Sequence, residues 1–105
     1  MSRTTSTKGR KLTQARLRLY FAGGAPNSAL AVKNILAICK QQHVDTQGLE
    51  LIDVLKEPER ALHDGILVTP TLLKLSPEPV ATIIGDLSAA HVVVQALGLP
   101  PREDD

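Results

Sequence analysis

The pattern of apolar and polar positions divides the chain into seven elements. In "RLRLYFA" the residues alternate, with Leu17, Leu19 and Phe21 on one side and Arg16, Arg18 and Tyr20 on the other, as in a strand. "GGAP" then turns the chain. After it Val32, Ile35, Leu36 and Cys39 recur at i, i+3, i+4 and i+7, a helix face directed at a core and running to about Gln42. Pro26 suits the first helical position, and Asn27 or Ser28 is expected to cap the free N–H groups. "GLELIDVL" predicts a second strand with Asp53 embedded in it. "KEPERALHD" predicts a short helix opened by Pro58 and closed by Gly65. "TPTLLKL" is the third strand, Pro77 and Pro79 bracket a tight hairpin, and "VATIIG" is the fourth strand. "DLSAAHVVVQAL" predicts a last helix with Ala90, Val93, Val94 and Leu97 on one face. Asp86 or Ser88 is expected at its cap, and Gly98 ends it.

The order β-α-β-α-β-β-α constrains the topology. The early strand-helix-strand unit requires a parallel pair joined by a right-handed crossover, whereas the proline-bounded pair must be antiparallel. A mixed four-stranded sheet flanked by helices, an α/β fold, satisfies both. No linker or repeat divides the chain. The reading is a disordered basic arm at 1–14, one domain at 15–98 and an acidic tail at 99–105.

Composition narrows the function. Aromatic residues make up 2% of the chain, Tyr20 and Phe21 alone, so the core is built from aliphatic residues and a base-stacking surface for single-stranded nucleic acid is disfavoured. The formal net charge of +1 hides an asymmetry: residues 1–44 hold eight Lys/Arg and no acid, and residues 45–105 hold four Lys/Arg and eleven acids. Half of the early positives fall before residue 12, where a solvated arm is expected rather than a specific nucleic-acid site. No apolar run approaches a membrane span, and the N-terminus lacks the apolar centre of a signal peptide. A cytoplasmic protein without a membrane partner is expected.

Candidate chemistry is sparse. The Gly23-Gly24 turn leads from a strand into a helix N-terminus, the geometry of a phosphate site. It matches neither G-x-x-x-x-G-K-[ST] nor G-x-G-x-x-G, and no Lys follows until Lys33. His43, His63 and His91 stand in different elements without ligand spacing. Asp53 is the one carboxylate expected to be partly buried, and it has no catalytic partner. Cys39, the only cysteine, lies on the core face of the first helix, where a structural thiol is expected. No metal, cofactor or catalytic residue is expected.

The segment "LIDVLKEPERALHDGILVTPTLLKL…IIGDLS" resembles the distal part of thioredoxin. That resemblance implies a cis peptide bond at Pro70, beside the turn where thioredoxins carry a cysteine pair. Here that turn, Gly24 to Ser28, has no sulfur, and without a thiolate there is no thiol–disulfide exchange. Taken together, "LYFAGGAPNS", "LIDVL", "TPTL" and "IIGDLS" closely resemble the KaiB family, over about residues 16–98. The resemblance implies a non-enzymatic adaptor that docks on a KaiC-type ring ATPase and modulates it in a clock or timing/stress system. KaiB-like domains also serve as input modules for histidine kinases, the alternative here, although no kinase follows in this chain. A redox-related thioredoxin-fold protein is a third reading.

The family also implies two folds, one thioredoxin-like and one tetrameric with a rearranged second half. The X-Pro bonds at Pro70, Pro77 and Pro79 cluster in that half. The residues implied to shape the fold or its switching are Gly23, Pro26, Asn27, Pro70, Gly85, Asp86, Ala96 and Gly98. Clock members carry Gly-Leu-Asp where this chain has Ala96-Leu97-Gly98. Alanine favours helix over glycine by about 0.8–1 kcal/mol, so the thioredoxin-like state, as a monomer or weak dimer rather than a tetramer, is expected. The implied partner-binding positions are Leu30, Lys33, Gly48, Leu49, Glu50, Leu51, Lys56 and Lys74. Leu30, Glu50, Ala81 and Thr82 replace basic residues of the family. The reversed charge at Glu50, on what would be an exposed edge strand, argues against a KaiA-type partner.

Overall fold

The computed structural model describes residues 12–99. Residues 1–11 and 100–105, which hold most of the expected arm and tail, lie outside the described residues. The elements follow the expected order: β1 (Arg16–Phe21), α1 (Pro26–Gln41), a 3-10 turn (Thr46–Gly48), β2 (Leu49–Asp53), α2 (Pro58–His63), β3 (Thr71–Ser76), β4 (Ala81–Ile84) and α3 (Ala90–Leu97). The sheet runs β2-β1-β3-β4, with β1 and β2 parallel and the other neighbours antiparallel. This mixed sheet is the arrangement that the strand-helix-strand unit and the proline hairpin require. The Thr69-Pro70 bond is cis, as are those before Pro77 and Pro79.

β1 lies inside the sheet, and both of its faces are buried. Leu17 and Leu19 point into the main core with Ala31, Ile35, Ile38, Cys39, Leu72, Val93 and Leu97. Tyr20, on the opposite face, packs with Ile52 and Ala61 under α2. The expected apolar side of β1 is therefore correct, but its Arg/Tyr side is not simply polar: Tyr20 is fully buried. The sheet thus separates α1 and α3 from α2, in three layers.

Local chemistry moves several boundaries. α1 buries Ser28, Ala31, Ile35, Ile38 and Cys39, whereas Leu36 is 43% exposed. Of the four residues of the expected face, Ile35 and Cys39 are buried and Val32 packs against the core, so Leu36 alone departs from it, and the buried stripe runs instead through Ala31 and Ile38. Neither Asn27 nor Ser28 caps α1; Ala25 holds the cap position without a side-chain bond. α3 begins at Ala90, not at Asp86. Asp86 Oδ1 accepts from the Ser88 N–H at 3.0 Å, closing a local turn, and Leu87 adopts φ 64°, which no right-handed helix admits. Asn34 Nδ2 of α1 donates to the Asp86 carbonyl at 2.8 Å and ties this turn to the first helix. Gly98, at φ 58°, ends α3 as expected.

The chain before β1 is also anchored. Thr13 donates to the His43 carbonyl at 2.7 Å and accepts from Asp45 N–H at 2.9 Å. Gly48 closes the same region: a Cβ there would collide with the Ala15 carbonyl oxygen. Gly48→Ala is expected to lower stability by about 1–3 kcal/mol through this overlap. Urea unfolding measures it, and an unchanged midpoint would mean that the start of β1 yields without cost.

Candidate docking surface

The turn from β1 into α1 keeps the outline of an active-site loop while spending its polar groups internally. The Ala22 N–H donates to Ser28 Oγ at 2.9 Å, which explains a buried serine one turn inside α1. The Gly23 N–H donates to Asp53 Oδ1 at 3.1 Å, and the Leu55 N–H donates to the same oxygen at 2.9 Å. Asp53 is thus a structural tie between β2 and the turn. A Cβ on Gly23 would lie 2.5 Å from Asp53 Oδ2, so this position requires glycine. With the Ala22 and Gly23 amides bonded internally and the Asp53 carboxylate set against the turn, its charge opposes an anion.

What the turn does shape is a groove. Phe21, Gly24, Pro26, Ala29, Val32 and Leu51 line an apolar cavity of about 490 Å³ between α1 and the β2 edge. β2 has a hydrogen-bonded neighbour on one side only, so its outer backbone groups face away from the sheet. Leu30 of α1 and Leu51 of β2 are each more than 40% exposed beside this groove. Lys33 and Lys40 stand on the outer surface of α1, which carries no acid between Pro26 and Gln41.

Beneath the opposite face of the edge lies a charge network absent from the sequence-based expectation. Glu50 accepts from Arg18 Nε at 2.7 Å and from Arg60 Nη2 at 3.0 Å. Arg18 Nη1 also donates to Asp64 Oδ2 at 3.0 Å, and Tyr20 Oη donates to that oxygen at 2.5 Å, lying 3.1 Å from the Arg60 carbonyl oxygen. Burial first, and then the Asp64 carboxylate, push the Tyr20 hydroxyl up to about 12. The Tyr20 hydroxyl and then the Arg18 guanidinium hold Asp64 below the usual carboxylate range. Arg18 and then Arg60 do the same for Glu50. The sequence signal for this network was weak: Arg18, Tyr20 and Asp64 are 44 or more positions apart across the contact, and only α2 packing brings them together.

Most of the expected partner-binding positions share one region. Leu30, Lys33, Leu49, Glu50 and Leu51 lie on α1 and β2 around the groove and edge, and Lys56 is exposed just past β2. Gly48 acts in packing, as described above. Lys74 is a correction: it is 1% exposed, on the helix-facing side of β3, and its Nζ donates to the Leu97 carbonyl. Strand alternation placed it there, because β3 alternates Leu72 and Lys74 into the main core. No partner can touch it in this arrangement. Gly23, Pro26, Asn27, Gly85, Asp86, Ala96 and Gly98 occupy turns and helix ends, and Pro70 is buried, accepting the Gly85 N–H at 3.0 Å. Cys39 is buried, and burial pushes its thiol up to about 11, far from a reactive thiolate. Among the described residues no three His, Cys, Asp or Glu gather as metal ligands, and no helix is long and apolar enough to cross a membrane.

The geometry defines a class: a thioredoxin-like fold in which the turn after β1 forms one wall of an apolar groove. Its likeness to solved structures agrees. Thioredoxin Deadhead of Drosophila melanogaster superposes with a TM-score of 0.63 at 13% identity, covering 82% of this chain and 80% of that one. The N-terminal domain of Synechococcus elongatus SasA does so with a TM-score of 0.55 at 23% identity, covering 90% and 86%. At these identities the likeness is one of fold. The KaiB domain family model matches residues 18–99. Circadian clock protein KaiB3 of Synechocystis sp. is 44% identical over 86 residues, 82% of this chain and 84% of its own. Circadian clock oscillator protein KaiB of Gloeothece citriformis is 48% identical over 83 residues, 79% and 78%. The chain belongs to the KaiB family of circadian clock proteins.

The carboxylate network implies a pH dependence with a definite sign. A carboxylate whose pKa is lower when folded adds stability above its unfolded value, near 4, and loses it as pH falls through the folded one. Stability is therefore expected to hold from about pH 7 to pH 5 and to fall below about pH 4. Asp64→Asn should make that fall shallower. Denaturant titrations at the two ends of the range measure it, and identical acid dependence in both proteins would detach Asp64 from the effect.

Proposed function

We propose that the protein is a non-enzymatic adaptor that docks on a KaiC-type ring ATPase and modulates its activity or phosphorylation within a clock or timing/stress system. The observation that carries this reading is the open apolar groove beside the free β2 edge, where a redox enzyme would have its cysteine pair. A free edge receives a partner strand through main-chain hydrogen bonds, and an adjacent groove accepts its alternate side chains. Family membership supports the choice of a clock component as partner.

Charge refines the partner. Glu50 is consumed by Arg18 and Arg60, so the edge does not present a bare acid. Lys33 of α1, which follows the groove residue Val32 and has no acidic partner among the described residues, favours an acidic segment. A KaiA-type partner is not part of this reading, because the position of Glu50 is basic in the members that the motifs resemble. The protein acts as a cytoplasmic monomer or weak dimer without a cofactor, and a tetramer at micromolar concentration in size-exclusion chromatography would contradict that.

The test is direct binding to a purified KaiC-type ATPase in its ADP, ATP and phosphorylated states. Binding is expected in at least one state. Leu51→Asp and Lys33→Glu should each weaken it by at least about tenfold, ~1.4 kcal/mol. Failure in every state would remove this reading, and capture of a histidine kinase by the same surface would replace it with an input-module role. Cys39→Ser should leave binding unchanged; a loss of function there would instead favour the redox-related reading.

A further inference from the structure

The sheet has a second free edge, β4, which neither the groove nor the charge network uses. Among the described residues β4 is hydrogen-bonded on one side only, to β3, with Thr71 opposite Ile84 and Leu73 opposite Thr82. The Gly85 N–H donates to the Pro70 carbonyl at 3.0 Å, one step past this register, and so fixes which residues face inward. Antiparallel strands alternate hydrogen-bonded and non-bonded pairs, so Ile83 and Ala81 direct their backbone groups at β3. Thr82 and Ile84 therefore point theirs away from the sheet, as an open row of donors and acceptors. Their side chains are exposed as well: Ile84 is 65% exposed, Thr82 is exposed, and Val80, just before the strand, is 67% exposed. Ile83, between them, packs against the main core, so Thr82 and Ile84 project to the Tyr20 side of the sheet.

Edge strands are commonly guarded by charge, and the two edges of this sheet differ in that respect. β2 carries Glu50 and Asp53. From Val80 to Gly85 the β4 edge carries no charged residue, and Val80, Thr82, Ile83 and Ile84 are β-branched, a shape that packs well across strands. Its neutrality matters most for one partner. A two-fold axis sets a strand against its own sequence, so a charged edge would meet its own charge, whereas this one does not. About an axis through Thr82, that residue faces its counterpart and Val80 faces Ile84. Glu78 and Asp86 lie beyond Pro79 and Gly85, where the chain leaves the strand, and their like charge confines the pairing to β4. Contact over one four-residue strand falls short of the roughly 1,600 Å² that a standard stable interface buries, so the pairing is weak.

We infer that β4 is a self-association edge: two copies of this chain join β4 to β4, antiparallel about a two-fold axis, in one sheet continuous through both. Main-chain hydrogen bonds from Thr82 and Ile84 hold the pair, and Val80 packs on Ile84 of the other copy. β2 and the groove lie at the opposite edge of the sheet and stay open in both copies. The inference gives the weak dimer proposed above its interface, and it holds whatever docks on β2.

Sedimentation equilibrium of the full chain from about 10 μM to about 1 mM tests it, with a dimer dissociation constant of about 0.1–1 mM expected. Thr82→Lys sets two ammonium groups against each other across the axis and should weaken the dimer at least about tenfold. Amide exchange of the wild type supplies a readout that needs no variant. The Thr82 and Ile84 amides should exchange about two- to fivefold more slowly at the upper concentration than at the lower, as the dimer fills. The Ile83 amide, already bonded to β3, should not change with concentration. A monomer throughout the range, or a dimer that Thr82→Lys leaves intact, would overturn the inference. So would a dimer lost in Leu51→Asp but not in Thr82→Lys, which would put the contact at β2. Should Thr82→Lys fail to fold, the wild-type amides decide, and exchange at Thr82 and Ile84 that is independent of concentration would overturn the inference.

Discussion

Strand β1 lies inside the sheet, paired with β2 and β3 along its edges, and it buries side chains on both faces against the helices. Leu17 and Leu19 organise the side on which α1 and α3 pack. Tyr20 organises the side on which α2 packs, and its hydroxyl must find a partner there because a buried phenol without one is costly. Asp64, at the end of α2, supplies it, and Arg18 neutralises the carboxylate so recruited. Arg18 in turn engages Glu50 of β2, which reaches Arg60 of α2. One buried hydroxyl thus links β1, β2 and α2.

The same economy explains the turn after β1. A thioredoxin-like fold places a strand end, a tight turn and a helix N-terminus together, a geometry suited to a nucleophile or an anion. Here Ser28 and Asp53 take the Ala22 and Gly23 amides of that turn, and glycine at position 23 is needed to let the carboxylate approach. Two of the loop's amides are thereby tied to neighbouring side chains. Its apolar outer surface, continued by Val32 and Leu51, is what remains for recognition.

The distribution of charge separates two kinds of cation. Arg18 and Arg60 are held in place by acids and serve the fold. Lys33 and Lys40 stand on an acid-free helix beside the groove. Lys74 belongs to neither group: it lies inside, and its Nζ donates to the Leu97 carbonyl at the end of α3.

Element order, the parallel and antiparallel pairings, the proline hairpin and the glycine stop of α3 were legible in the chain. Each follows from local periodicity, proline and glycine geometry, or the handedness of a crossover, none of which requires knowing a distant neighbour. The motifs at Leu19 to Ser28 and at Ile83 to Ser88 likewise located the family. The buried flank of α1, the true start of α3, the depth of Lys74 and the Tyr20–Asp64–Arg18–Glu50 network were decided by tertiary structure. A polar side chain's fate depends on whether a partner from another element arrives to satisfy it, and periodicity along one element carries no record of that arrival.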